Sequence, residues 1–254
     1  MLRFLRRLAV AAVAALALFV AVPVQAQSFS DAQRDEIERI VREYLLANPE
    51  LLQEVVAELE KRQALAESER HRGAIAQHRE TLYNSPHQVV LGNPKGDVTL
   101  VEFFDYNCSY CKRALADKLE LLKTDPKLRL VLKEFPVLGP GSIEAAQVSI
   151  AVRIQDANKY LAFHQKLLGG RGQADKARAL AAAKEAGLDV GRIEKDLQSP
   201  EVRAALEEVM RLAEALGVNG TPTYVVGASI IPGAVGAGAL RQQIAEARQE
   251  NGPR

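Results

Sequence analysis

Cysteine occurs twice in this chain of 254 residues, at Cys108 and Cys111. A disulfide stabilises mainly by closing a long loop in the unfolded chain, and this pair closes almost none. A structural zinc site normally takes four protein ligands, and no second pair is present. The flanks point instead to redox chemistry, with an incidental pair as the alternative. Residues 98–106 form an apolar run rich in Val and Phe, the pattern of a buried strand. Residues 114–122 then read as a helix that stops before Asp125-Pro126. A strand that enters and a helix that leaves put Cys108 at a helix N-terminus. Unpaired backbone N–H groups and the helix dipole favour a thiolate there, the reactive form of cysteine. Cys111 lies one turn further in, less exposed, and can attack a mixed disulfide formed at Cys108.

The start of the chain places this pair outside the cytoplasm. Arg3, Arg6 and Arg7 precede an apolar run at 8–22, and Val24-Gln25-Ala26 follows with small residues. That order predicts a signal peptide over 1–26, cleaved near Ala26, and a mature protein in the periplasm. An uncut anchor is the alternative, but the run is short of the roughly 20 residues that span a bilayer. Disulfides persist in such a compartment. The composition, 48% apolar and 26% charged, is that of a soluble globular chain. The net charge of +1 gives no basic surface for nucleic acid.

Two textures follow. Residues 27–84 read as a charged helical arm. Ser30 or Asp31 caps a first helix, and Ile37, Ile40, Val41, Tyr44 and Leu45 recur at helical spacing. Asn48-Pro49 breaks it, and Pro49 opens a second helix with Leu52, Val55, Val56 and Leu59 on one face. Beyond Leu65 the apolar face thins to residues such as Ile75. A stretch this polar is either a solvated spacer or a possible homo-oligomer contact. Residues 85–254 form the second texture. A turn at 93–97 leads into the first strand, and 128–135 is a second. Residues 142–216 are Ala-rich and helical, with breaks at Gly169-Gly170, Gly187–Asp189 and Ser199-Pro200. Short strands at 223–226 and 229–231 and a helix at 239–248 close the chain.

The Phe-rich strand, the Cys108-Ser109-Tyr110-Cys111 motif and Gly217-Val218-Asn219-Gly220-Thr221-Pro222-Thr223 together resemble the thioredoxin superfamily. The helical block before Thr221-Pro222 resembles its DsbA-like branch. The resemblance covers about residues 85–250. It implies an α/β fold: a thioredoxin fold with an inserted helical block, preceded by the N-terminal helical arm. It also implies that the Thr221–Pro222 peptide is cis against the redox pair, with the Thr221 backbone binding substrate peptide. Alone, Pro222 would be read as a turn proline, since about one X-Pro bond in twenty is cis.

Two charges lie inside apolar strands, Glu102 in the first and Lys133 in the second. Central charges are costly unless paired. Glu102 matches a buried acidic position of DsbA-like proteins, with Lys133 its expected partner and both assigned to the catalytic centre. Glu102 would then take the Cys111 proton. The alternative is that both face solvent. Strongly oxidising DsbA enzymes carry Pro-His between the cysteines; here Ser109 and Tyr110 tune the pair without an imidazolium. Thr221 before the proline resembles isomerase-type and ScsC-like members. The implied activity is disulfide exchange with protein substrates, leaning to isomerase or reductase, with a membrane or periplasmic redox partner and no cofactor. Two alternatives remain: a DsbA-type dithiol oxidase, or a Cu(I)-binding copper-tolerance protein using the same soft thiols. His71, His78, His87 and His164 have no ligand cluster near them in sequence, so no metal site is expected.

Overall fold

The computed structural model describes residues 29–251. The expected signal peptide and its cleavage site lie outside them. Among the described residues, no helix is long and apolar enough to cross a membrane.

The chain divides into two compact units, Met1–Lys61 and Arg62–Arg254. In the first, α1 (Asp31–Ala47) begins at a reciprocal cap: Ser30 Oγ accepts from the Gln33 N–H, and Gln33 Oε1 accepts from the Ser30 N–H. No residue of α1 is buried. Ile37, Ile40, Val41 and Tyr44 are exposed, as are Leu52, Val55, Val56 and Leu59 of α2 (Glu50–Gln77).

The second unit begins within α2, not near residue 85. The reason is packing. Ile75 of α2 and Leu82 of α3 (Arg79–Asn84) are buried in a core with Val101, Phe103 and Val131. The thinned apolar face beyond Leu65 is the residue of that packing: Ile75 and Leu82 are buried against the sheet, with Ala74 and Tyr83 packed beside them.

Five strands form the sheet, in the order β1-β3-β2-β4-β5. β1 (Val89–Gly92) is an edge strand of four residues, too short to stand out in the sequence. β2 (Val98–Phe104), α4 (Ser109–Thr124) and β3 (Leu128–Glu134) make a parallel crossover unit, with Glu102 opposite Leu132 and Phe104 opposite Glu134. β4 (Thr223–Val226) lies antiparallel on the other edge of β2, and β5 (Ser229–Pro232) pairs with β4. β2 is thus paired on both edges and buried on both faces.

Alternation along the strands sorts two cores. Leu100, Phe104, Leu130 and Leu132 face α4 and a helical block of α5 (Pro140–Gln155), α6 (Tyr160–Leu168), α7 (Lys176–Glu185) and α8 (Val190–Asp196), with α10 (Gly236–Asn251) on the same side. Val101, Phe103, Val131 and Val225 face α9 (Pro200–Leu216) and α3 on the other. Leu82→Ala empties a fully buried site in this second core. Chemical denaturation of the variant is expected to show a loss of about 2–5 kcal/mol, which a mere spacer would not show.

Candidate active site

Cys108 is the N-cap of α4, in extended backbone, and its Sγ accepts the Cys111 N–H at 3.3 Å. The Cys108 thiol donates to the Thr221 carbonyl at 3.1 Å. The Thr221–Pro222 peptide is cis. Two backbone features hold that loop. α9 ends on Gly217 in the left-handed region, φ 70°, where a side chain would be strained. The Gly233 N–H donates to the Pro222 carbonyl at 2.8 Å. Ser109 and Tyr110 open α4 and are exposed, and the Arg113 guanidinium lies 4.3 Å from the Tyr110 ring centroid. Tyr110, Arg113, Asp117, Thr221 and Gly233 line a groove along this rim.

Beneath the rim the side chains are buried. Cys111 is fully buried, and burial first, then the Glu102 charge, pushes its thiol far above the ordinary range. Its proton needs an acceptor before the sulfur can attack. Glu102 is fully buried, and burial pushes its carboxyl up while Lys118 opposes the shift. Lys118 Nζ stands 2.5 Å from Glu102 Oε2, with side-chain exposures of 1% and 0%. Neither carboxylate oxygen has a hydrogen-bond partner beyond this charge contact. A carboxylate held at raised pKa beside a buried thiol is a competent proton acceptor.

The DSBA-like thioredoxin domain matches residues 99–245, more than half of the chain. The chain belongs to this family. The N-terminal domain of the copper resistance protein ScsC matches residues 33–66. A thioredoxin-like oxidoreductase from Silicibacter pomeroyi is 47% identical, covering 67% of this chain and 98% of its own, with a TM-score of 0.65. A linker-deletion mutant of Proteus mirabilis ScsC is 28% identical, covering 89% and 100%, at 0.67. The thiol-disulfide exchange protein α-DsbA2 of Wolbachia pipientis is 27% identical, covering 71% and 97%, also at 0.67. Among curated proteins, a Na(+)/H(+) antiporter NhaA of Salinispora arenicola is 28% identical over 137 residues, and the chain spans 21% of its length. A probable disulfide bond formation protein D of Bacillus cereus is 25% identical over 154 residues, 71% of its length.

In this DsbA-like domain the rim and the buried pair form one dithiol centre, suited to thiol–disulfide exchange. Cys108, Cys111, Glu102, Thr221 and Pro222 come together as the sequence suggests, but the Glu102–Lys133 pair does not form. Glu102 sits at an even position of β2 and faces α4; Lys133 sits at an odd position of β3 with Val131 and faces away. Its Nζ donates to the Thr81 carbonyl at 2.7 Å. The cation beside Glu102 comes from α4. A signal for it exists in the sequence: Cys111, Ala114, Lys118 and Leu121 recur at helical spacing and form the buried stripe of α4.

Asp105 is a second omission. Its Oδ2 accepts the Val137 and Leu138 N–H groups at 2.9 and 3.0 Å, and its Oδ1 accepts from the Asn107 N–H and the Ser142 hydroxyl, both at 2.7 Å. Asn107 in turn binds the Ala174 backbone through both ends of its amide. These contacts tie the redox loop to the helical block.

Lys133 provides a pH test of its corrected place. Burial lowers its pKa from 10.5 to about 8. Below about 8 both folded and unfolded chains carry the charge, and the folded one bears the desolvation penalty. Between about 8 and 10.5 the unfolded chain binds more protons, so stability rises with pH. Relative to Lys133→Met, the native protein is expected to gain on the order of 3 kcal/mol across that window. Denaturation of both proteins at pH 7 and pH 10 measures it; a flat difference would place the ammonium in water.

Proposed function

We propose that this protein is a periplasmic thiol–disulfide oxidoreductase that exchanges disulfides with protein substrates and leans to isomerase or reductase chemistry. The observation that carries this reading is the contact of Cys108 Sγ, at the N-cap of α4, with the Thr221 carbonyl beside cis-Pro222.

The Cys108 thiolate attacks one sulfur of a substrate disulfide. That S–S bond breaks, the leaving sulfur departs as a thiolate and takes a proton, and a mixed disulfide remains at Cys108. Half-buried Thr221 lines the groove beside Cys108, a place where extended substrate backbone can lie, which supports a protein substrate. Cys111 then gives its proton to Glu102, and its thiolate attacks Cys108 Sγ. The mixed disulfide breaks, the Cys108–Cys111 disulfide forms, and the second substrate sulfur leaves reduced. In isomerisation a substrate thiolate attacks the mixed disulfide instead, and no electrons leave the substrate. Running the reduction backwards oxidises a dithiol.

Direction follows from thiolate stability. Ser109 and Tyr110 supply no imidazolium beside Cys108, so the reduced form lacks one stabilising charge of a strong oxidant. Export is supported by the N-terminal residue pattern and by likeness to a periplasmic thioredoxin-like protein of Salmonella enterica, 28% identical. Assembly is supported by the exposed apolar stripes of α1 and α2 together with the ScsC N-terminal match. The same match favours Cu(I) capture by the dithiol as a second reading.

Equilibration of the mature protein with glutathione is expected to give a potential more negative than about −120 mV, the value of a strong oxidant. A value at or above that would make it an oxidase. Cys111→Ser should abolish insulin reduction and accumulate mixed disulfide at Cys108; retained copper tolerance in that variant, with exchange lost, would favour the metal reading. The mature protein is expected to sediment as an oligomer. Val55→Asp with Val56→Asp, both exposed positions, should return it to monomer.

A further inference from the structure

A second buried carboxylate faces the same core as Glu102. Glu134 lies opposite Phe104 across the β2–β3 ladder, on the α4 side of the sheet, and is 5% exposed. Buried polar side chains run without a break from Lys118 to Glu134. Lys118 Nζ is 3.4 Å from His164 Nε2, and His164 Nδ1 is 3.2 Å from the Tyr106 hydroxyl. Tyr106 Oη is 2.8 Å from Ser149 Oγ and 3.2 Å from Tyr160 Oη. Ser149 and Tyr160 both donate to Glu134 Oε1, at 2.9 and 2.7 Å.

The two ends set the direction of the bonds on the path through Ser149; the Ser149–Tyr160 and Tyr106–Tyr160 oxygens, 2.9 and 3.2 Å apart, then share no hydrogen. An ammonium only donates, so His164 Nε2 must accept from Lys118. Burial first, then the Lys118 charge, holds His164 neutral. A neutral imidazole that accepts at Nε2 carries its hydrogen on Nδ1 and donates it to Tyr106. An ionised carboxylate only accepts, so the Ser149 and Tyr160 hydrogens point at Glu134. Tyr106 then donates to Ser149. All donors run from Lys118 towards Glu134. His164 is kept in place by stacking on Tyr160, with ring centroids 5.8 Å apart, and by the edge contact with Phe104 at 4.9 Å. The other charged or titratable groups facing the chain are Arg153 of α5 towards Glu134, and Tyr224 of β4 and Cys111 of α4 towards Glu102.

We propose that this chain of side chains is a proton relay joining the redox centre to Glu134, so that two buried carboxylates share the proton of the resolving thiol. The proposal rests on the reading of Glu102 as acceptor of the Cys111 proton. The S–H bond of Cys111 breaks and Glu102 gains the proton. Lys118 takes that proton while passing one of its own to His164 Nε2. The Nδ1 hydrogen of His164 goes to Tyr106, the Tyr106 hydroxyl hydrogen to Ser149, and the Ser149 hydrogen to Glu134. Each intermediate ends with as many protons as it began with. The net change is one proton from Cys111 to Glu134, and no electron moves. His164, Tyr106, Ser149 and Glu134 are positioning residues, acting through Lys118 and Glu102 and not on the sulfurs. A purely structural network would hold the helical block together without touching the pH dependence of the thiol step.

The test uses the mature reduced protein mixed with oxidised glutathione, with acid quench and intact mass to separate the mixed disulfide from the Cys108–Cys111 disulfide. The rate of resolution is followed from pH 4 to 9. Glu102→Gln should slow it by about 100-fold, the worth of a proton acceptor. Tyr106→Phe, which loses one hydroxyl and keeps its ring, should slow it about 2- to 10-fold and shift its pH midpoint. Glu134→Gln should do the same, and the double variant should be no slower than either single one. Wild-type rate and pH profile in Tyr106→Phe and Glu134→Gln, with Glu102→Gln slow, would overturn the relay and leave Glu102 as the acceptor. Additive losses in the double variant would also overturn it. An unaffected Glu102→Gln would overturn both readings. If Glu134→Gln does not fold, Tyr106→Phe combined with Ser149→Ala takes its place.

Discussion

The central strand β2 is the constraint on which the rest of the molecule hangs. It is bonded on both edges and covered on both faces, so each of its residues has one permitted environment. Its C-terminal end delivers Cys108 to the N-terminus of α4. Its edge with β4 brings Thr221 and Pro222 to that sulfur, over a distance of 113 residues in the chain. Its alternation sends Val101 and Phe103 to one core and Glu102 to the other, under the redox pair. A slip of one residue would exchange the two sets and put a charge among the aliphatic side chains of the second core.

Charge burial on this scale does not serve stability. A buried ion pair roughly breaks even against apolar packing, and a network of polar groups helps only when every member is satisfied. Here Glu102, Lys118, His164, Tyr106, Ser149, Tyr160 and Glu134 occupy a volume that aliphatic side chains could fill. The grouping places two carboxylates of raised pKa and one neutral imidazole in the core beneath a buried thiol. The rim above is of a different kind. Ser109 and Tyr110 are exposed there, while Cys111, in the same first turn of α4, is buried.

The unit Met1–Lys61 obeys another logic. Its first helix is capped, and the apolar residues that recur along its helices stay exposed within one chain. The later part of the same charged sequence differs: Ile75 and Leu82 are buried against the sheet, and the Thr81 and Tyr83 carbonyls accept hydrogen bonds from β3.

Local pattern was enough for the motif and its setting. The single C-x-x-C, the strand before it and the helix after it are neighbours in the chain, so the sequence by itself determined that the first cysteine sits at a helix N-terminus. Glu102 was legible too, because a charge inside an apolar strand stands out. The tertiary structure alone decided its partner. Lys118 and Lys133 are both cations in apolar surroundings, and the choice between them depends on which face of the sheet α4 covers and which way β3 is registered. His164 and Tyr160 share one helix, while Tyr106, Ser149 and Glu134 lie on three other elements, and each alone reads as an ordinary residue of its helix, strand or loop. Their common property is proximity across the core, and sequence spacing carries no information about distances closed by packing.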